Sequence, residues 1–383
     1  MGRRENFRKI LAHEQPDDAI LDLGGCPLST MMGKSYAGLI HLLGLENKDA
    51  ENDEILKWGQ VYRLDDRLVE ALDIDTRGVG AVQIPSRSTW KILSKNEYID
   101  EWSIRRKFTG LYWDIIESPL RDKEVEDLED FPWPDPDSID MESIRREAKR
   151  AKYLYENTDY IVVADLPTYG IFELGCWMCG FDDYLCKMAA DPDFIHEYSN
   201  RVLAYQKRVL ELYLNELGPY IHVIVSGDDY ATQHSQFLSM PMFDEMVKPY
   251  FKERLRYTRQ FTDAAILHHS CGSVAKMIPD LVDCGVEILN PIQPGAVDME
   301  PEKIKPMYGD QIVFHGGFDT QQVLPFGTEE DVEREVAHMM GIMNKNGGYI
   351  FAAAHNIQED VKPENIVAMF RAARKYGKKS ASL

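Results

Sequence analysis

The sequence has no apolar run approaching the roughly 18 residues of a transmembrane helix, and no apolar signal-peptide core follows its basic start. The chain has fewer basic than acidic residues: 43 basic and 64 acidic residues give a net charge of −21 at pH 7. Such a chain repels polyanions, so we do not expect nucleic acid as a partner. We expect a cytoplasmic protein without membrane contacts.

Cysteine is scarce, with six residues in 383, which is too few for a disulfide scaffold. We therefore expect thiols or metal ligands in a reducing compartment. Cys176 and Cys179 have CxxC spacing but lack a thioredoxin-type context, so we expect them to pack in the core. The sequence has no GxGxxG after its first strand and no P-loop motif, and neither nucleotide-binding fold is indicated.

From about residue 139 short apolar strands alternate with longer helices, which is the pattern of a parallel α/β sheet. Strands are predicted at 19–24, 160–166, 222–227, 264–269, 286–290, 312–316 and 349–354. Helices are predicted at 192–216, 241–262, 273–283, 328–345 and 362–376. The strand interiors are nearly all apolar, as expected for strands buried on both faces.

About the first 135 residues read as an N-terminal elaboration together with the first barrel elements. An amphipathic helix is predicted from Arg4 to His13, and a hairpin at 96–118 around Thr109 and Gly110. The proline-rich DFPWPDPDSID reads as an ordered connector. No flexible linker is evident, so residues 1–383 are predicted to form a single domain.

Polar residues stand where five of the apolar strands are predicted to end. They are Asp228, Asp229, His269, Asn290, His315 and His355. A (β/α)8 barrel builds its active site from the carboxyl ends of many strands, whereas an open doubly wound sheet concentrates its site at one switch point. This distribution predicts a (β/α)8 TIM barrel.

His269 and Cys271 are two residues apart at the end of a strand, where alternate residues share a face. An imidazole and a thiolate on one face provide two ligands of a zinc site, and catalytic zinc takes three protein ligands and one open position. We predict His355 as the third ligand, while Asp228, Asp229 and His315 remain alternatives. The pair could instead be a buried thiol and a core histidine, and His268, facing the opposite way, is predicted to be a core residue.

The chain resembles the uroporphyrinogen decarboxylase superfamily, and most closely its corrinoid-linked methyltransferase branch. The matching stretches include RRENFRKILAHEQPDD, ILDLGG, EDFPWPDPDS, SGDDYATQHSQFLSMPMFDEMVKPYFKE, LHHSCGSV, LNPIQPGAVDMEPEKIK, FHGGFDTQQVLPFGT and GGYIFAAAHNIQEDVKPENI. The resemblance covers nearly the whole chain and implies the same (β/α)8 barrel.

Two departures narrow what the resemblance implies. The carboxylate-binding arginines of true decarboxylases are missing, because the corresponding stretch reads DLGGCPLST, whereas the HxCG element of zinc methyltransferases is intact. His355 stands where thiol-methylating relatives have cysteine. Zinc held by His269, Cys271 and His355 would carry more positive charge, which suits polarising an ether oxygen better than activating a thiolate.

The resemblance thus implies transfer of a methyl group from a methoxylated donor, expected to be aromatic, to the Co(I) corrinoid of a partner protein. Asp228 or Asp229 would orient the substrate or a ligand, and His315 is predicted in a catalytic, core or metal-supporting role. The predicted substrate-binding residues are Tyr169, Phe172, Trp177, Tyr230 and Asn290. The sequence leaves a homodimer open.

Three alternatives remain at this stage. The first is methyl transfer from methylcobalamin to a thiol such as coenzyme M, or a tetrahydrofolate methyltransferase with the same metal. The second is a metal-free decarboxylase acting on a tetrapyrrole. The third is a non-catalytic subunit of a corrinoid complex with a structural zinc.

Overall fold

The computed structural model describes residues 2–45, 54–56, 61–80, 90–110, 112–165 and 167–379, so Leu166 of the predicted strand 160–166 lies outside it. In chain order its strands are β1 (Ile20–Leu21), β2 (Glu54–Leu56), β3 (Val61–Tyr62), β4 (Thr76–Val79), β5 (Lys91–Ser94), β6 (Glu97–Ile99), β7 (Arg105–Phe108), β8 (Trp113–Glu117), β9 (Ile161–Ala164), β10 (Val223–Gly227), β11 (Ala265–His269), β12 (Ile288–Ile292), β13 (Val313–Phe318) and β14 (Tyr349–Ala353).

Its α-helices are α1 (Arg3–Leu11), α2 (Gly33–Leu42), α3 (Asp66–Ala71), α4 (Asp127–Asp130), α5 (Met141–Asn157), α6 (Ile171–Cys179), α7 (Phe181–Ala190), α8 (Pro192–Leu217), α9 (Met240–Met246), α10 (Lys248–Thr258), α11 (Ile278–Cys284), α12 (Pro301–Tyr308), α13 (Val323–Phe326), α14 (Glu329–Met343) and α15 (Pro363–Tyr376). Within the described ranges, no helix is both long and apolar enough to cross a membrane.

Eight parallel strands form one sheet in the order β1-β14-β13-β12-β11-β10-β9-β4. Its two ends meet between β1 and the residue before β4. The Asp75 N–H donates to the Leu21 carbonyl at 3.0 Å, and the Leu21 N–H donates to the Asp75 carboxylate at 2.7 Å. The sheet is therefore a nearly closed barrel, which confirms the predicted fold.

Helix α1 covers one end of the barrel. Its Phe7 and Ile10 pack in one cluster with inward-facing side chains of the barrel strands. These inward residues are Ile20, Ile161, Val163, Val223, Val225, Ala265, Leu267, Ile288, Val313 and Ile350. The outward-facing residues of the same strands pack against the surrounding helices in a second, larger cluster. The barrel strands are mostly apolar because both of their faces are buried.

The structure also tests the predicted hairpin at 96–118 and the predicted helix at 241–262. The hairpin is confirmed, since β7 pairs antiparallel with β8, and it belongs to a four-stranded sheet with β5 and β6. The helix predicted at 241–262 is two helices, α9 and α10, which are divided at Val247. Pro249 stands in the first turn of α10, where a proline is tolerated but cannot continue a preceding helix.

Candidate metal centre and cavity

The carboxyl ends of β10 and β11 bring three metal-binding side chains together. Asp229 follows β10, His269 is the last residue of β11, and Cys271 comes two residues later. Their donor atoms all lie within 4.8 Å of one another, and His269 Nε2 lies 3.8 Å from Asp229 Oδ1. These three residues, called the donor cluster below, provide oxygen, nitrogen and sulfur donors of the kinds that zinc accepts.

Asp229 and Cys271 are joined by two contacts. The Cys271 N–H donates to Asp229 Oδ1 at 2.9 Å, and its thiol donates to Oδ2 at 3.4 Å. Burial, together with the neighbouring Asp229 carboxylate, raises the pKa of the Cys271 thiol. A thiol must lose its proton to bind zinc, and a divalent cation would stabilise the thiolate beside this carboxylate. The chemistry of the donor cluster therefore fits zinc.

His355, the predicted third ligand, lies beside the donor cluster and not within it. Its ring centroid is 5.6 Å from that of His269, with the ring planes at 71°. Burial and the neighbouring His269 lower the pKa of His355 to about 4, so its imidazole is neutral and able to bind a metal. The pair His269 and Cys271 comes together as predicted, while Asp229 is closer to it than His355 is.

The glycine that follows Cys271 is required by the backbone. Gly272 has φ of +92°, a conformation that side chains disfavour, and a Cβ there would lie 2.5 Å from the Thr232 carbonyl oxygen. The loop after β11 therefore folds closely against the loop after β10. This close approach is part of what brings Cys271 to Asp229.

Asp228, next to Asp229, supports a helix. Its carboxylate accepts the N–H groups of Phe172 at 3.0 Å and Glu173 at 2.7 Å, both in the first turn of α6. Burial raises the pKa of Asp228 to about 6, although these backbone hydrogen bonds oppose the shift. A carboxylate at a helix N-terminus stabilises the helix. Its position indicates that Asp228 orients α6, and its predicted catalytic role stays a prediction.

A cavity of about 710 Å³ adjoins the donor cluster, and Asp229 lines it. Its aromatic lining residues are Phe172, Trp177, Phe181 and Phe237. Glu117 and Glu173 also line it, and Arg121 is the one basic residue in this lining. Arg121 pairs with Asp182 at 2.6 Å. Burial, followed by the charges of Asp229 and Asp228, raises the pKa of Glu173 well above its ordinary value.

Two of the four predicted aromatic residues, Phe172 and Trp177, line this cavity. Tyr169 packs its ring edge against Trp177, with centroids 5.0 Å apart. Tyr230 is 1% exposed and stacks on His268. His268 is itself fully buried, as predicted for a core residue, and burial lowers its pKa.

Asn290 and His315 lie within strands, and their predicted placement at strand ends is wrong. Each is the third residue of its strand, β12 or β13. β13 continues because Gly316 and Gly317 extend it, where the sequence suggested a strand end. Both side chains are buried and hydrogen-bonded inside the barrel, and neither is among the residues that line the cavity.

The sequence reasoning did not identify Glu173, Phe181 and Phe237 in the cavity wall, or Asp22, which binds His315. Asp22 carries a recognisable signal, because it is an acidic residue in the otherwise apolar stretch AILDLG. The cavity residues carry none, because they lie in helices and loops whose positions depend on the folded chain.

A family model described as uroporphyrinogen decarboxylase (URO-D) matches residues 115–376. A methyltransferase from Methanosarcina mazei has a TM-score of 0.63 at 14% identity, over 98% of this chain and 99% of that chain. Native xylanase 10B from Thermotoga maritima has a TM-score of 0.38 at 11% identity, over 63% of this chain and 82% of that chain. No curated protein matches the sequence. Because the family model spans more than half of the 383 residues, the chain belongs to the uroporphyrinogen decarboxylase family.

Proposed function

We propose that this chain is a zinc-dependent methyltransferase that moves a methyl group from a methoxylated aromatic donor to the Co(I) corrinoid of a partner protein. The observation that carries the proposal is that Asp229 belongs both to the donor cluster and to the wall of the aromatic cavity. A molecule in the cavity is therefore next to the metal-binding side chains. The fold shared with the methyltransferase from Methanosarcina mazei supports this reaction class.

Asp229, His269 and Cys271 would hold the zinc, with His355 as the alternative third ligand. Zinc held there would supply Lewis acidity, which favours release of the donor's oxygen as an anion. The corrinoid of the partner protein would supply the nucleophile that accepts the methyl group. The donor cluster lies at the carboxyl ends of barrel strands, which is where barrel enzymes place their active sites.

The cavity suits a ring-sized, uncharged donor. Its volume of about 710 Å³ falls within the range of small-molecule sites, and aromatic walls favour a flat apolar ring. Glu173 lines this cavity, and burial raises its pKa, which favours a protonated carboxyl that can donate a hydrogen bond to a ring substituent. The Glu117 carboxylate in the cavity wall disfavours a donor that carries a carboxylate, whereas bound zinc would offset the charge of Asp229.

The test is anaerobic turnover of zinc-loaded protein with Co(I) cobalamin, following the absorbance of the methyl–cobalt product. The panel contains methoxylated aromatics, methanol and methylamines, with each ring donor offered as a carboxylate and as its uncharged analogue. We expect turnover of methoxylated rings and faster turnover of the uncharged member of each pair. Cys271→Ala is the matched inactive control.

Turnover of methylcobalamin with a free thiol, and of no methoxylated compound, would assign the chain to the thiol-methylating class. Loss of a carboxylate from a tetrapyrrole in the absence of zinc would assign it to the decarboxylases. Either result contradicts the proposal.

A further inference from the structure

A path of hydrogen bonds crosses the inside of the barrel and ends at the donor cluster. His269 Nδ1 lies 2.5 Å from Asn290 Oδ1, and Asn290 Nδ2 lies 2.6 Å from His315 Nδ1. His315 Nε2 lies 2.9 Å from Asp22 Oδ2. All four residues are buried, with at most 6% of their surface exposed. Each polar atom in the path therefore depends on its neighbour for a partner.

The direction of the hydrogen bonds is set at Asp22. Burial opposes its ionisation, but the hydrogen bond and the charge of His315, with further hydrogen bonds from Ser29 and Thr76, hold the pKa of this carboxyl below its ordinary value. The Gly25 N–H, at 3.0 Å, and the Thr76 hydroxyl both donate to Oδ1. An ionised carboxylate only accepts hydrogen bonds, so His315 Nε2 must donate to Oδ2.

This direction continues along the path when the His315 ring carries a single hydrogen, and the 2.6 Å contact between Asn290 Nδ2 and His315 Nδ1 matches that state. A neutral imidazole that carries its hydrogen on Nε2 has a lone pair on Nδ1, so Asn290 must turn its NH2 group toward His315. The Asn290 oxygen then faces His269 and accepts from its Nδ1–H. His269 is left with a lone pair on Nε2, the nitrogen that lies 3.8 Å from Asp229 Oδ1.

We propose that Asp22 selects, through His315 and Asn290, the tautomer of His269 whose Nε2 lone pair faces the donor cluster. His315 and Asn290 are then positioning residues, because they act on a ligand without reaching the cavity. The use of this lone pair by zinc rests on the proposed function, whereas the selection of the tautomer does not. A histidine ligand generally needs a partner for its other ring nitrogen, and here that partner is an amide oriented by a buried carboxylate.

Asp22→Asn gives a sharp test because it should exchange donor and acceptor in every hydrogen bond of the path. The Gly25 N–H and the Thr76 hydroxyl hold the amide oxygen on the Oδ1 side, so the new NH2 group faces His315 Nε2. His315 then carries its hydrogen on Nδ1, the Asn290 amide turns over, and His269 moves its hydrogen to Nε2.

The first measurement is the ¹⁵N chemical shifts of the His269 ring in the full-length, metal-free protein, assigned by comparison with His269→Gln. We expect hydrogen on Nδ1 in the wild type and on Nε2 in Asp22→Asn. The second measurement is zinc affinity by competition with a chelator, where we expect Asp22→Asn to bind about 10- to 100-fold more weakly.

Asn290→Asp is the conservative variant, since a carboxylate accepts from both imidazoles and should keep hydrogen on His269 Nδ1. Asp75→Asn is the matched control, because Asp75 is about as buried as Asp22 but bonds to Arg3, Arg374 and the Leu21 N–H and to no residue of this path. An unchanged His269 tautomer in Asp22→Asn overturns the proposal. A switched tautomer with unchanged zinc affinity supports it and contradicts the zinc role of His269 in the proposed function.

Discussion

The Asp229 carboxylate binds Cys271 through both of its oxygens, with the backbone N–H at 2.9 Å and the thiol at 3.4 Å. The residue that supplies the sulfur donor therefore also holds the carboxylate in place. The donor cluster is assembled from two loops, and each loop depends on the other for its position.

Cys271→Ala removes the only sulfur of the donor cluster. We expect zinc binding at least about tenfold weaker, since losing a ligand should cost no less than losing its hydrogen-bonded support. Cys284→Ala is the control, because Cys284 is buried on α11 and outside the cluster. Zinc content after dialysis separates the two variants, and equal content would rule out Cys271 as a ligand.

Asp228→Ala and Asp229→Ala should affect different properties, stability and zinc binding respectively, although the two residues are neighbours. Removing the Asp228 carboxylate leaves the buried N–H of Phe172 and that of Glu173 without a partner, so we expect unfolding to be easier by about 2 kcal/mol. Asp229→Ala should mainly weaken zinc binding. Denaturant unfolding of the metal-free proteins measures the loss of stability, and chelator competition measures the loss of zinc affinity. A larger loss of stability in Asp229→Ala than in Asp228→Ala, or a larger loss of zinc affinity in Asp228→Ala, would contradict these roles.

His222 should make the fold sensitive to acid. Burial, with the charges of Arg4 and Arg8, lowers its pKa from 6.5 to about 4, and its Nδ1 accepts the Val162 N–H at 3.1 Å. Between these values the unfolded chain binds a proton that the folded chain does not. The free energy of unfolding is therefore highest above about pH 7, and it falls by up to about 3 kcal/mol as the pH drops toward 4.

His222→Asn keeps an acceptor for the Val162 N–H and removes the titrating group. Its stability should fall less than that of the wild type between pH 7 and pH 4 in urea titrations. Identical pH dependence in the two proteins would show that another group is responsible.

Trp177→Ala opens the wall of the cavity without touching the donor cluster. We expect KM for a ring donor to rise by about tenfold, because a buried aromatic contact is worth about 1–1.5 kcal/mol beyond its area. Zinc affinity should not change. Phe326→Ala, at a residue that is 71% exposed on α13, is the control. A KM that stays at the wild-type value would place the donor elsewhere.

The barrel could be predicted because each of its strands is recognisable from a short stretch of sequence. The stretch 222–227 anticipated β10 (Val223–Gly227) almost to the residue, since a short apolar run bounded by polar residues has few other solutions in a parallel sheet. The sequence also predicts that Asp229, which follows β10, and His269, which ends β11, contribute to one site. The sequence predicts His355 rather than Asp229 as the third donor, and because both residues follow strand ends, only the folded chain shows that Asp229 groups with His269 and Cys271.

The sequence by itself determined which residues alternate along each strand, and it indicated that His269 and Cys271 belong to one site at the end of a strand. Only the tertiary structure decided that Asp22 meets His315, that Asn290 lies between two imidazoles, and that Phe181 and Phe237 join the cavity wall. The physical reason is that side-chain direction within a strand follows from the backbone's period of two, whereas contacts between strands and loops depend on how the whole sheet closes.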